Sequence, residues 1–323
     1  MTRSISAVAI AAFSLAFSAA APAPATYKII RLTSDPASDD VPEWSPDGAT
    51  IAFQSTRSGD YDIYTVPAAG GAVTRLTSWP GDQGQPCYSP DGNNICFTWR
   101  LVPYEDEDVC IMPASGGGSY INFTNDPGHY DGLPDWSPDG NYIAFGSQRD
   151  SPPPPWDIEY IYVQPYPSGA ATKVTPGPWD DQCVDWSLDG TELAYSTWVT
   201  ASTYDTDIFR IPSSGGSRVN VTNSHEVQEF MPSWSPDGLY IAYDRYELAE
   251  NNQDIYIISR NGGTPTRLTK DPGRDWAPAW SPDGTRIAFT SRRNNNTDIY
   301  VLYLEGNPLV EPSSLGKIKA LFR

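Results

Sequence analysis

Trp44-Ser45-Pro46-Asp47-Gly48 leads through Ala49 and Thr50 into Ile51-Ala52-Phe53, and the same order of residues returns five more times along the chain. An aromatic residue followed by Ser-(Pro/Leu)-Asp-Gly stands at Trp44–Gly48, Tyr88–Gly92, Trp136–Gly140, Trp186–Gly190, Trp234–Gly238 and Trp280–Gly284, at steps of 44, 48, 50, 48 and 46 residues. A fixed period of this length marks an array of like structural units. Each copy runs into an apolar strand, Ile51–Phe53, Ile95–Phe97, Ile143–Phe145, Leu193–Tyr195, Ile241–Tyr243 or Ile287–Phe289. A variable loop, a strand of Asp-Ile-Tyr type, a small or Gly-Gly turn and a short Leu-Thr-like strand follow. Each unit therefore reads as four short antiparallel strands, a to d. In the a–b turn, proline fixes φ, aspartate bonds nearby backbone and glycine takes the left-handed position. A four-stranded sheet is covered on both faces when such sheets repeat radially, so six copies predict an all-β, six-bladed propeller.

Closure of the ring is legible in the chain. The Leu-Thr-like strand occurs at Leu76-Thr77, Phe123-Thr124, Val174-Thr175, Val221-Thr222 and Leu268-Thr269, but none follows the last Asp298-Ile299-Tyr300. The missing copy, Leu32-Thr33, lies upstream of the first repeat. Tyr27–Thr33 is thus expected as the outer strand of the last blade, joining the two ends of the array. A linear solenoid gives no reason for that displacement.

These copies resemble the TolB-like β-propeller repeats of exported bacterial proteins, over roughly Tyr27 to Tyr303. TolB itself has an α/β domain before its propeller, whereas here a leader-like segment precedes the repeats. The resemblance therefore implies the propeller rather than the Tol-system role. The repeat family includes binding proteins, propellers attached to peptidases and polysaccharide-degrading enzymes, so the fold leaves function to the site.

Composition narrows the classes. The 323 residues carry 40 Asp+Glu against 21 Lys+Arg, a formal charge of -19, which argues against a nucleic-acid partner because phosphates are held by clustered cations. With 31 Pro, 26 Gly, 11 Trp and 19 Tyr, the chain favours short aromatic strands and turns over helices. Arg3 precedes an apolar stretch from Ile5 to Ala21, and Ala23 and Ala25 supply the small pair of a cleavage site. The expected organisation is a signal peptide over 1–25, the propeller over 26–305 and a short basic tail over 306–323. An uncleaved anchor is the alternative reading of the first segment. Export, to the periplasm or outside the cell, and a monomer without a membrane span are expected. In the tail, Lys317, Lys319 and Arg323 follow the last acid, Glu311, and Leu315, Ile318 and Phe322 could share a helix face.

The a–b and c–d turns share one rim of such a ring, and the b–c and d–a loops share the other. The first rim is nearly invariant, with Ser-Pro-Asp-Gly turns and Gly70-Gly71, Gly116–Gly118, Gly215-Gly216 and Gly262-Gly263, and reads as scaffold. On the second, the path from the strand-b aromatic to the strand-c aspartate is 9 residues in units 1 and 6 and 11 or 12 in the others. Variable loops on a rigid frame are where binding concentrates. Trp44, Trp136, Trp186, Trp234 and Trp280 are repeat residues expected between blades, whereas Trp79, Trp99, Trp156, Trp179, Trp198 and Trp276 fall in the variable segments, joined by Tyr104, Tyr204 and Tyr246. They read either as platforms for a ligand or as caps folded over sheet edges.

Five residues before the repeat aromatics stand Asp39, Gln83, Asp131, Asp181, Glu229 and Asp275. Pointing into the channel mouth, these acids would form a carboxylate ring, with Ca²⁺ as the cofactor considered; bonded to their own turns, they would be structural. No cofactor is otherwise implied. His129 and His225 lack zinc-type spacing, and the acidic runs Ser58–Asp62 and Tyr104–Asp108 lack the calcium-loop pattern. No Gly-x-Ser-x-Gly elbow occurs. Among the four cysteines, Cys87 faces Cys96 if Tyr88 pairs with Ile95, Cys96–Cys110 is the competing bridge, and Cys183 is expected as a buried thiol. The reading is a binding module that takes an envelope or extracellular protein or peptide on the loop rim and channel mouth. A carbohydrate-active lyase or glycosidase using Glu105, Asp106, Glu107, Asp180, Asp181 or Glu229 on the same rim, with an oligosaccharide as ligand, is the alternative.

Overall fold

The computed structural model describes residues 27–101, 107–152, 158–199 and 205–304, and all regular structure in them is β. Strand β1 is Lys28–Arg31. The first repeat forms β2 (Asp39–Trp44), β3 (Thr50–Ser55), β4 (Asp62–Pro67) and β5 (Thr74–Arg75). The second forms β6 (Asp82–Tyr88), β7 (Asn94–Arg100), β8 (Glu107–Pro113) and β9 (Ile121–Asn122). The third forms β10 (Asp131–Trp136), β11 (Tyr142–Ser147), β12 (Tyr160–Pro165) and β13 (Thr172–Lys173). The fourth forms β14 (Asp181–Trp186), β15 (Glu192–Trp198), β16 (Thr206–Pro212) and β17 (Val219–Asn220). The fifth forms β18 (Val227–Trp234), β19 (Tyr240–Glu247), β20 (Asn252–Ser259) and β21 (Thr266–Arg267), and the sixth β22 (Asp275–Trp280), β23 (Arg286–Ser291) and β24 (Asp298–Tyr303).

The architecture is a β-propeller. Sheet pairing departs from six separate sheets: four sheets have four strands, and the fourth and fifth repeats join in one sheet of eight. The junction is a single parallel bridge, Thr206↔Gln228. It forms because β18, eight residues long, begins at Val227 and reaches back to β16. The same approach recurs elsewhere as isolated contacts: Asp39 N–H to Thr297 O (2.9 Å), Gln83 N–H to Tyr61 O (2.7 Å), Asp181 N–H to Glu159 O (3.0 Å) and the bridge Glu107↔Tyr130.

The outer strand of the last sheet is supplied from upstream, as expected. β1 pairs antiparallel with β24, from Lys28↔Tyr303 to Arg31↔Tyr300. Thr33 Oγ1 accepts the Ile299 N–H at 3.0 Å, just as Thr77, Thr175 and Thr269 accept from Ile63, Ile161 and Ile255 at 2.9, 3.1 and 3.0 Å. This shared bond gives the Leu-Thr signature its physical meaning. Apolar cores fill the spaces between successive repeats, and the one joining last to first packs Trp44, Phe53 and Val66 against Ala279, Ile299 and Val301.

The a–b turns are built as their residues dictate. Gly48 has φ +66° and donates to Ser45 O at 2.8 Å, while Asp47 Oδ1 accepts from Ser45 Oγ (2.6 Å) and Ala49 N–H (2.9 Å).

Every strand a also carries a bulge. Val41, Gln85, Leu133, Cys183, Met231 and Ala277 adopt φ of 50, 53, 52, 56, 48 and 49°, and the pairing register shifts there. Left-handed backbone at a non-glycine residue costs about 1–3 kcal/mol and persists where surrounding bonds enforce it. Here a neighbouring side chain takes the exposed N–H: Thr290 Oγ1 accepts from Val41 (3.1 Å), Gln54 Oε1 from Gln85 (2.9 Å), Gln85 Oε1 from Leu133 (3.0 Å) and Asp244 Oδ2 from Ala277 (3.2 Å). Proline follows the bulge in five copies, at 42, 86, 134, 232 and 278, where no ladder N–H is required.

Candidate functional site

The acids expected at the channel mouth lie elsewhere. Asp39, Asp131, Asp181, Glu229 and Asp275 are fully buried, and none lines the axial cavity. Arginines from their own sheets meet three of them: Arg57 on Asp39 at 2.6 Å, Arg149 on Asp131 at 2.8 Å and Arg293 on Asp275 at 2.8 Å. Arg218 and Arg245 stand 3.7 and 3.5 Å from Asp181 and Glu229. Each arginine caps aromatic rings, as Arg293 does over Phe289 and Tyr300 at 5.3 and 4.8 Å. The cation that a carboxylate ring would need is thus internal. Burial pushes Asp181 up to about 6 and Glu229 up to about 8 even with their hydroxyl and arginine partners. Among the described residues, no group of three or more His, Cys, Asp or Glu is arranged to hold a metal ion.

Other acids occupy the channel. Glu43, Asp135 and Asp185, one residue before their repeat tryptophans, line it with Cys87 and Ser233. Asp135 Oδ2 accepts the Trp186 N–H and Asp185 Oδ2 the Trp234 N–H, both at 2.7 Å, so each carboxylate ties one inner strand to the next. Burial raises all three, Asp135 to about 6; repulsion from Asp135 adds to the rise at Glu43 and Asp185. Because the folded state holds these protons more tightly than the unfolded one, their contribution to stability is greatest at low pH. It falls as pH rises from the unfolded carboxyl value of about 4 through the folded values. Asp135→Asn is expected to flatten this part of the stability–pH curve and to narrow the stability gap between about pH 5 and pH 8, read by urea unfolding at each pH.

The variable-segment tryptophans divide. Trp79, Trp99, Trp179, Trp198 and Trp276 are all half-buried. Trp276 Nε1 is held by Asp40 Oδ1 at 2.8 Å, and Trp179 lies under Arg218 at 5.5 Å, so these two act partly as caps. Trp79 and Trp99 form one cluster with exposed Tyr120, at ring distances of 6.1, 5.0 and 4.5 Å, and Leu101, two residues after Trp99 in the chain, is 58% exposed. Trp198 meets Phe230 edge-on at 6.2 Å. Trp156, Tyr104, Tyr204, Glu105 and Asp106 lie outside the described residues, as do residues 1–26 and 305–323, where the signal peptide and the basic tail are expected.

The third repeat needs a shift of register. Phe145 pairs with Tyr162, so Tyr160, rather than Asp157, stands where other repeats place the strand-c acid, and the b–c path there is 15 residues. The displaced pattern leaves Glu159 at the loop end of this strand. It is 91% buried, its N–H donates to Asp180 Oδ1 at 2.9 Å, and burial, with repulsion from Asp180 and Glu107, pushes its carboxyl up to about 8. Its Oε2 is among the buried oxygens without a hydrogen-bond partner, and a Cβ on Gly146 would stand 3.1 Å from it.

Neither expected bridge is formed, and the strand register sets the two candidate pairs apart. Cys87 pairs with Cys96 in register and both face the third repeat, whereas Cys110 pairs with Phe97 and faces the first. Cys96 and Cys110 thus lie on opposite faces of their sheet. All four cysteines are buried thiols, and Cys87 Sγ–H donates to Asp135 Oδ1 at 3.0 Å.

The larger concavity near the axis opens on the rim expected to be scaffold. It encloses about 330 Å³ between the repeat aromatics and the turn prolines, with Glu43, Asp135 and Asp185 at its floor. On the loop side, a cleft of about 140 Å³ lies between Gln54, Asp82, Arg100 and Glu107. No helix among the described residues is long and apolar enough to cross a membrane.

A family model for the TolB beta propeller domain matches residues 24–100 and 183–319. An uncharacterized protein of Agrobacterium fabrum is 25% identical over 174 residues, 52% of this chain and 55% of its own length, so the chain spans about half of that relative. The structure of a putative TolB from Agrobacterium tumefaciens superposes with a TM-score of 0.65 at 21% identity, covering 86% of this chain and 99% of that one. An oligogalacturonate lyase from Vibrio parahaemolyticus superposes at 0.56 with 15% identity, covering 87% and 94%. At these identities the two structures speak for the fold alone.

Proposed function

Since the chain belongs to the TolB beta-propeller domain family, we propose that it is an exported binding module that engages a protein or peptide segment on its loop rim. The observation that carries this reading is the cluster of half-buried Trp79 and Trp99 with exposed Tyr120, Leu101 two residues along the chain from Trp99 being exposed as well, since aromatic anchors dominate binding energy at protein interfaces. In this reading the eight-stranded sheet works as two blades of a six-bladed ring, because the fourth and fifth repeats each supply four of its strands. The test compares capture of proteins from an envelope extract by the wild type and by Trp99→Ala/Leu101→Asp. A discrete partner retained by the first and lost by the second supports the reading, and equal capture by both contradicts it.

Export carries its own expectation. Treatment of the folded protein with oxidised glutathione should close a Cys87–Cys96 bond, with two glutathione thiols released and two hydrogens lost from the protein mass. Cys110 and Cys183 should remain alkylatable after unfolding. Four alkylatable thiols after oxidation would count against the bridge.

A carbohydrate-active reading is favoured by one arrangement: Glu159, whose carboxyl burial pushes up to about 8, donates its backbone N–H to the carboxylate of Asp180, which follows Trp179 in the chain, and a proton donor near a carboxylate and an aromatic ring are the elements of such a site. Cleavage of acidic oligosaccharides, abolished by Glu159→Gln, would establish it. No cleavage by the wild-type protein would remove it.

A further inference from the structure

The concavity on the Ser-Pro-Asp-Gly rim has apolar walls and an acidic floor. Trp44, Trp136, Trp186, Trp234 and Trp280 line it with the turn prolines and Leu188, itself 43% exposed. None of the influences that shift Glu43, Asp135 or Asp185 is a lysine or arginine; their charged neighbours are one another. The surrounding turns supply a negative field. Hydrogen bonds from Ser45, Ser89 and Ser137 hold Asp47, Asp91 and Asp139 below the usual carboxylate range, and these residues stay ionised. A segment suited to this funnel would carry cations and a few large apolar side chains.

This chain contains such a segment, and it departs from the same rim. The last described residue, Leu304, donates its N–H to Thr285 O at 2.9 Å, directly after the Ser281–Gly284 turn whose Pro282 lines the funnel. Residues 305–323 follow in the sequence. Seven or eight residues of extended chain span about 25 Å, so Pro312 and its successors are within reach of the axis. After Glu311 the sequence has no acid, three cations in Lys317, Lys319 and Arg323, and the apolar Leu315, Ile318 and Phe322.

We propose that the funnel is the docking site for residues 312–323 of this same chain, with the apolar side chains against the tryptophan and proline wall and the cations over Glu43, Asp135 and Asp185. It stands apart from the proposed partner site.

The experiment uses the intact chain and a carbodiimide, which condenses a lysine amine with a carboxyl to form an amide, the carbodiimide taking up the water as a urea. Mass spectrometry should find Lys317 or Lys319 joined to Glu43, Asp135 or Asp185. Leu188→Lys, at an exposed wall position, should abolish these links with the thermal midpoint maintained. Lys317→Glu/Lys319→Glu should increase the accessibility of the funnel tryptophans to acrylamide. Links confined to other acids, or links to the floor that survive Leu188→Lys with no change in quenching, would overturn the proposal. Cross-linking a mixture of ¹⁵N-labelled and unlabelled protein identifies the donor: hybrid-mass links would show a second copy in the funnel and would overturn docking within one chain.

Discussion

Arg293→Met is expected to destabilise the protein by about 3–5 kcal/mol near neutral pH, because it leaves Asp275 buried without its cation. The Asp275 side chain is fully buried, Arg293 is 14% exposed, and the pair meets at 2.8 Å. Methionine keeps much of the contact with Phe289 and Tyr300, so the loss reports mainly on charge. A pH signature separates this from simple repacking. Burial already raises Asp275 against the lowering effect of Arg293, and removing the arginine raises it further. The variant's deficit should therefore shrink as pH falls and the carboxyl becomes neutral in both folded proteins. Urea unfolding at neutral and acidic pH measures it. A deficit independent of pH would mean that the ion pair does not control the effect.

Deleting residues 27–33 is the second large perturbation. It removes β1, exposes the edge of β24 and takes away Arg31, which pairs with buried Asp298 at 2.7 Å. Tyr27, Ile29 and Leu32 also leave the cores on which they pack. Half-burial of three apolar side chains, together with an orphaned buried carboxylate, amounts to about 5 kcal/mol, a large part of a typical domain's stability. The truncated protein should unfold at much lower urea and expose a pairing-competent edge, seen as aggregation in sedimentation. A midpoint like that of the full chain would mean that β1 does not close the ring.

The fold was legible because its instructions are local and repeated. Six Ser-(Pro/Leu)-Asp-Gly turns specify where hairpins reverse, and the displaced Leu32-Thr33 reveals the join, since the threonine hydroxyl makes the same bond there as in the other copies. The site was harder to read because it depends on which side of a strand a residue faces. The bulge at Val41 and its counterparts shifts the pairing within strand a. Residues one before the aromatic, such as Glu43, line the channel, while Asp39 is buried against Arg57. A signal was available: an arginine stands 18 residues after Asp39, Asp131 and Asp275, and pairs with each. The third repeat misled for another reason, as Asp157-Ile158 copies the strand-c pattern three residues ahead of the true Tyr160-Ile161-Tyr162.

The central claim is that the loop rim, with Trp79, Trp99 and Trp198, is the surface a polypeptide partner occupies. Hydrogen–deuterium exchange of the protein with and without its captured partner tests this most directly. The account predicts slowed exchange in the segments around Trp79–Gln83, Trp99–Leu101 and Trp198–Val199, with the Ser-Pro-Asp-Gly turns unchanged. Protection confined to those turns, with the loop rim exchanging as in the free protein, would contradict it.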